Sequence, residues 1–163
     1  MRLGRTEPSA LSEPPSSIVV DANVAVKWVI DEDFTNEARA LLQDSRTQQR
    51  PLVGPPLLTT EVVSIICQRL RSRDPERHLT NEEAQRALQE FLAIPIQLLA
   101  PEDLYRRGFD LARDHGLTNT YDSLYVALAQ MLGVEMWTDD QNLLRALGSS
   151  APWVRSIRDY PLP

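Results

Sequence analysis

Short apolar runs of strand length alternate with longer segments of helical periodicity along the chain. The run Ile18-Val19-Val20 ends at Asp21, and a second apolar segment begins at once, which predicts a strand, an acidic turn and a helix. Four later apolar runs bounded by turn residues also predict short strands, the last of them at an edge: 51–54, 94–99, 134–138 and 151–156. Strands that alternate with helices predict βαβ units and an α/β fold.

The predicted helices fill the intervals between these runs. The first extends from Ala22 to about Ile30, and the second has Thr35 as its N-cap and fades near Gln49. The segment 122–132 is apolar nearly all round, which predicts a buried central helix. The remaining predicted helices are 57–73, 81–92, 101–116 and a short one that ends at Leu147.

Four acidic residues occupy positions that suit a common site. Asp21 and Asp140 follow predicted strands, Asp122 lies in the first turn of the buried helix, and Glu61 lies among apolar helical residues. Taken singly, each acid is explained as a helix cap or as part of a polar helix face. Taken together they are expected to converge on one cleft at the carboxyl ends of the strands. Four carboxylates in one cleft repel unless a cation compensates them, and Mg²⁺ or Mn²⁺ prefers oxygen ligands.

Composition excludes several classes of protein. A chain of 163 residues is most simply one domain, and 42% hydrophobic with 25% charged residues is ordinary for a globular protein. No uncharged run approaches the roughly 20 residues of a membrane helix. One cysteine and two histidines exclude an intrachain disulfide and the usual Cys/His zinc site. A net charge of −6 argues against nonspecific attraction to nucleic acid but leaves local patches undecided.

The chain is predicted to have three parts. Residues 1–16 are rich in Pro, Ser and Glu and have no apolar core of signal-peptide length, which predicts a disordered extension of a cytoplasmic protein. Residues 17–158 form the folded domain, and 159–163 form a short tail. Removing the extension is expected to leave the fold intact.

Four motifs together resemble the PIN domain, and most of all the toxin ribonucleases of VapC type. They are VVDANVAVKW at 19–28, Glu61 after a Pro-Leu-Leu segment, TYDSLYVALA at 120–129 and TDDQNLL at 138–144. The resemblance implies a three-layer α/β fold with a central parallel sheet of four to five short strands flanked by helices. It also implies an acidic cluster that binds Mg²⁺ or Mn²⁺ and cleaves RNA endonucleolytically.

The resemblance assigns roles to individual residues and partners. It implies that the metal-binding and catalytic residues are Asp21, Glu61, Asp122 and Asp140, supported by Asn23, Thr138 and Asp139. Asp139 is the alternative fourth ligand; Asp140 is favoured because the family pattern places its acid two residues after the threonine. Toxins of this type pair as homodimers and are held inactive by a small antitoxin that also binds DNA.

Several interpretations stay open at the level of sequence. Arg69 and Arg73 are candidate RNA phosphate contacts, although a solvated helix end explains them too. Lys27 is either part of the active site or exposed to solvent. The aromatic residues Trp28, Tyr121 and Tyr125 are expected in the core rather than as base-stacking platforms.

Two other function classes compete with the nuclease. A haloacid-dehalogenase-like phosphatase needs a second Asp where this chain has Asn23. A catalytically silent PIN-like module that binds RNA or protein is the stronger alternative. Loss of activity on an Asp21→Asn change would separate the silent module from a nuclease.

Overall fold

Five strands of three residues each form one parallel sheet in the computed structural model, which describes residues 16–163. The strand order β3-β2-β1-β4-β5 places β1 at the centre, and every neighbouring pair is parallel. The strands are β1 Ile18–Val20, β2 Leu52–Gly54, β3 Ile96–Leu98, β4 Met136–Thr138 and β5 Val154–Ser156. The predicted α/β fold with a parallel sheet flanked by helices is confirmed.

Seven α-helices surround the sheet within the described residues. They are α1 Ala22–Ala25, α2 Thr35–Thr47, α3 Leu58–Leu70, α4 Asn81–Leu92, α5 Leu104–Asp114, α6 Tyr121–Leu132 and α7 Gln141–Leu147. The first predicted helix is shorter than expected, because it tightens into a 3₁₀ turn at Val26–Trp28. Helix α3 ends three residues before the predicted limit, so Arg73 lies in the following turn.

The core is built on β1 and α6. All three residues of β1 are at most 1% exposed, and α6 is buried from Ser123 to Ala129. Helix α5 packs closely on α6, since a Cβ at Gly108 would come within 2.6 Å of the Leu124 side chain. The Ser123 hydroxyl also donates to the Gly108 carbonyl at 2.7 Å. These contacts fix the first turn of α6, which carries Asp122.

Because all five strands are parallel, their carboxyl ends lie at one edge of the sheet and their amino ends at the opposite edge. We call the edge at which the strands end the carboxyl edge; Asp21 follows β1 there, and Asp139 and Asp140 follow β4. The opposite edge, where the strands begin, is the amino edge. The register pairs Thr138 with Ser156, so the residues after β5 also lie at the carboxyl edge.

The described part of the chain begins at Ser16 and extends past the predicted end of the domain at residue 158. Residues 1–15 of the predicted extension lie outside the described residues. Just beyond the predicted end of the domain, Tyr160 packs edge-on against Trp137 with ring centroids 4.8 Å apart and donates to Asp44 at 2.7 Å. Among the described helices, none has both the length and the apolar character needed to cross a membrane.

Candidate active site

Asp21 is a buried carboxylate at the end of the central strand. It is 4% exposed, and its Oδ2 accepts hydrogen bonds from Thr138 Oγ1 at 2.7 Å and Asn23 Nδ2 at 3.0 Å. Burial raises the pKa of Asp21 from 3.8 to about 7; the Thr138 hydrogen bond opposes this rise, and the charges of Asp122 and Glu61 add to it. A carboxylate with these neighbours is one that a cation would stabilise.

Glu61 is held by a tyrosine from the central helix. It lies in the first turn of α3, and the hydroxyl of the fully buried Tyr125 donates to its Oε2. Burial raises the pKa of Glu61, the Tyr125 hydrogen bond lowers it, and the Asp122 charge raises it. Burial also raises the pKa of Tyr125, with a further contribution from the Asp21 charge, so its hydroxyl keeps its proton and remains a donor.

Asp122 and Asp140 lie at the starts of two different helices. Asp122 is half-buried in the first turn of α6, where burial and then the charge of Asp140 raise its pKa. Asp140 is the N-cap of α7, and its Oδ1 accepts from the amides of Asn142 at 2.8 Å and Leu143 at 3.1 Å. The Asp140 amide in turn donates to Thr138 Oγ1 at 3.0 Å. Thr138 therefore connects Asp140 to Asp21.

The fold places the four predicted acids near enough at the carboxyl edge for their charges to raise one another's pKa values: Glu61 and Asp122 act on Asp21, and Asp140 acts on Asp122. Within residues 16–163, however, no three histidine, cysteine or acidic side chains stand in a ready-made metal-binding arrangement. Protein donors orient two of these acids: the Tyr125 hydroxyl for Glu61, and the amides of Asn142 and Leu143 for Asp140. The donor set is entirely oxygen and acidic, which fits Mg²⁺ or Mn²⁺.

Asp139 faces away from this cluster. Its backbone amide donates to Asn23 Oδ1 at 3.0 Å, whereas its carboxylate pairs with Lys27 Nζ at 3.0 Å and Arg158 Nε at 2.8 Å. Among residues 16–163, Asp140 pairs with no basic side chain. Of the two acids after β4, Asp140 is thus the one whose charge is not already neutralised.

The structure decides two interpretations that concern Lys27 and Tyr121. Lys27 is not in solvent; it is 3% exposed and pairs with Glu32 at 2.8 Å. Tyr121 is not in the core, since it is 59% exposed, whereas Trp28 and Tyr125 are buried as expected. The apolar residues around Lys27 could have indicated that it is buried. Its acidic partners, Glu32 and Asp139, are identified only by the three-dimensional structure.

The two arginines predicted to contact phosphate have different surroundings. Arg69 donates to Glu32 at 2.5 Å, and its side chain is 17% exposed. Arg73 is exposed in the turn after α3. Their contact with RNA stays a prediction. Arg158, which the sequence did not single out, pairs with Asp139 at 2.8 Å.

Comparisons with known proteins agree on the fold. The family described as "PIN domain" matches residues 18–148. The crystal structure of PAE2754 from Pyrobaculum aerophilum is similar with a TM-score of 0.60 and 18% identity, over 88% of this chain and 90% of that chain. At this identity the similarity shows the fold alone. The comparison with curated proteins found no match.

Proposed function

We propose that this chain, which belongs to the PIN domain family, is a metal-dependent endoribonuclease whose active site is the acidic cluster at the carboxyl edge. Family membership suggests nuclease activity in general. The observation that carries the finer proposal is Asp21, a carboxylate that is 4% exposed, interacts with the charges of Glu61 and Asp122, and is connected to Asp140 through Thr138. The cluster consists of Asp21, Glu61, Asp122 and Asp140.

The acids would hold one or two Mg²⁺ or Mn²⁺ ions, which supply a water of lowered pKa and stabilise charge on the phosphate. The remaining contribution comes from the residues that orient these carboxylates. Thr138 and Asn23 hold Asp21, and Tyr125 holds Glu61. Because the protein orients these side chains in advance, less ordering entropy is lost when the acids act together.

Cleavage assays test the proposal directly. Purified protein is expected to cleave single-stranded RNA with Mg²⁺ or Mn²⁺ and to stop when EDTA is added. Asp21→Asn is expected to lower the rate at least 10²-fold, on the order of the loss of one preorganised electrostatic group. Asp110→Asn, at an α5 carboxylate that is 45% exposed and paired with Arg113, is the matched control and should cleave normally. Equal rates for Asp21→Asn and the wild type would leave an RNA- or protein-binding module as the function.

The finer biological role that we propose is the toxin of a toxin–antitoxin pair in the cytoplasm. It rests on the resemblance of the four motifs to VapC-type toxins and on the harm that an unrestrained ribonuclease does to a cell. A basic segment of a small antitoxin suits the acidic cluster, because a guanidinium or ammonium pairs strongly with carboxylates. Expression of the chain alone should arrest growth, and co-expression of a short neighbouring reading frame should restore it. Normal growth with the chain alone would contradict the toxin role.

A homodimer is the proposed assembly. Its support is the exposed pair Tyr105 and Phe109, 61% and 59% exposed and four residues apart on α5. Side chains at this spacing lie on the same helix face, and exposed apolar patches of this kind mark association surfaces. Light scattering should give the mass of two chains, and a mass of one chain would contradict the dimer.

A further inference from the structure

Five charged side chains form a continuous series of ion pairs beside the acidic cluster. Arg69 pairs with Glu32 at 2.5 Å, Glu32 with Lys27 at 2.8 Å, Lys27 with Asp139 at 3.0 Å, and Asp139 with Arg158 at 2.8 Å. We call these five residues the rim cluster. Three bases and two acids give it a net charge of +1, whereas the whole chain carries −6. The rim cluster is therefore a local positive region on an acidic protein.

Lys27 determines how much of the Arg158 charge remains available. The Lys27 side chain is 4% exposed and binds Asp139 Oδ2, while Arg158 binds Asp139 Oδ1. The Asp139 charge is thus shared between a buried ammonium and an exposed guanidinium. Because three bases share two acids in this series, positive charge remains for an outside anion, and Arg158, at 43% against 17% for Arg69, is the more exposed of its two ends.

The guanidinium of Arg158 is held in one orientation. Its Nε binds Asp139, and its plane lies over the Phe34 ring with Cζ 4.7 Å from the centroid. The side chain is 43% exposed, and among residues 16–163 its two terminal nitrogens have no hydrogen-bond partner. A guanidinium held at Nε, whose two terminal nitrogens have no partner among residues 16–163, has donors left for the oxygens of a phosphate.

Arg158 also lies at the correct edge of the sheet. It belongs to the 3₁₀ turn Ile157–Asp159, which follows β5 as Asp140 follows β4. A short series of bonds leads from it to the site, because Asp139 N–H donates to Asn23 and Asn23 donates to Asp21. Asp139 thus contacts both the arginine and Asn23, the residue that holds Asp21.

The groove on the other side of the rim cluster suits a phosphate chain poorly. It has a volume of about 680 Å³, and Lys27, Glu32, Arg69 and Asp139 contribute to its wall. Seven acidic and four basic residues line it, so its net charge is negative. A nucleic acid is expected to approach on the Arg158 side instead.

We propose that Arg158 binds a backbone phosphate of single-stranded RNA beside the acidic cluster, with Asp139 and Phe34 as its positioning residues. The proposal rests on the proposed function for the identity of the ligand, and on the geometry of the rim cluster for the place. It adds a binding residue that contacts the substrate outside the acids themselves.

The experiment compares Arg158→Gln with Arg155→Gln. Arg155 is a matched control: its side chain is 57% exposed, it has a carboxylate partner in Glu135 at 3.7 Å, and it lies over Trp137 at 5.8 Å. Glu135 immediately precedes β4, so this pair belongs to the amino edge. Both changes are made in the Asp21→Asn chain with EDTA present, and the Kd for a 12-nucleotide RNA is measured against salt.

Arg158→Gln is expected to raise Kd about 10-fold and to reduce the salt slope by about 0.7, the value for one phosphate contact on a single strand. Arg155→Gln should stay within about twofold of its parent, as expected for a residue that contacts no phosphate. Phe34→Leu, which keeps the arginine but removes its aromatic support, should raise Kd by a smaller factor. Melting temperatures measured in parallel identify a variant that fails to fold, in which case the Phe34 variant decides.

Several outcomes would overturn the inference. The first two are an unchanged Kd for Arg158→Gln and an equal rise in Kd for both arginine variants. The other two are tighter binding of DNA than of RNA of the same sequence, and no RNA binding by the Asp21→Asn parent. The proposed function fails separately. Cleavage by the wild type with an unchanged Arg158→Gln Kd leaves the nuclease without this contact. Selective loss of binding in a chain that never cleaves leaves the contact without the nuclease.

Discussion

The carboxylates at the two edges of the central sheet differ in how their charge is compensated. At the amino edge, Glu135 pairs with Arg50 at 2.7 Å, and Arg50 also donates to the Ser16 carbonyl at 2.9 Å. At the carboxyl edge, Asp21, Glu61 and Asp122 all have raised pKa values, for which burial is the largest cause. The same strands connect both edges, so the fold alone does not account for the difference. The proposed cation at the acidic cluster would account for it.

The largest expected effect concerns the stability of the carboxyl edge without metal. Between pH 4 and 7 the unfolded chain has lost the Asp21 proton while the folded chain keeps it, so the free energy of unfolding falls as pH rises. The shift from 3.8 to about 7, at 1.36 kcal/mol per unit, corresponds to roughly 4 kcal/mol. Asp21→Asn should remove the Asp21 contribution to this fall, which makes the variant more stable than the wild type at pH 8 while it is inactive. Urea unfolding of the wild type and of Asp21→Asn at pH 4 to 8 in EDTA measures the free energy of unfolding of each protein.

The matched control lies at the amino edge. Glu135→Gln removes the acid of two partly exposed ion pairs, with Arg50 at 2.7 Å and with Arg155 at 3.7 Å, and should cost about 0–1 kcal/mol for each pair. It should keep the full dependence of stability on pH, because the carboxyl edge is untouched. A wild-type stability that is flat between pH 4 and 7, or an equally altered pH dependence in both variants, would remove the distinction between the two edges.

Metal addition is expected to have the next largest effect. At about 100 times its Kd, Mn²⁺ should stabilise the folded chain by about 2.7 kcal/mol. For a chain of this size, that raises the melting temperature by about 5–10 °C. The rise should disappear with EDTA, shrink in Asp21→Asn and persist in Glu135→Gln. An equal rise in all three proteins would place the ion elsewhere.

The sequence predicted strand β1 and the acid that follows it because these depend on local pattern. Apolar β-branched residues that end at an acid indicate a strand and its exit, as at Ile18–Asp21. The apolar helix around Asp122 was evident for the same reason. Both features involve residues within a few positions of one another along the chain.

The environment of the rim cluster could not be predicted in this way. Lys27 and Asp139 are more than a hundred residues apart in sequence, and Arg158 reaches Asp139 from the turn after another strand. Whether a lysine is exposed or buried depends on such distant partners, because a buried ammonium is stable only when carboxylates meet it. Tyr125 and Glu61 illustrate the same limit, since their hydrogen bond spans 64 positions.

The smallest expected effect concerns the amino edge and the first residues of the chain. Residues 1–15 are rich in Pro, Ser and Glu, a composition that offers little apolar surface to bury. Removing them should change the melting temperature by less than about 2 °C, well under the effect of one lost buried contact in a domain of this size. The cleavage rate should not change.

A longer truncation through Ser17 sharpens this result, because it also removes the Ser16 carbonyl that accepts the Arg50 hydrogen bond. The difference between the two truncations should be the net value of one such bond, about 0.5–1.5 kcal/mol. A fall of many degrees on removing residues 1–15 alone would show that this segment is docked on the domain. In that case the stability of the amino edge would depend on contacts with residues 1–15, as the stability of the carboxyl edge is expected to depend on a bound cation.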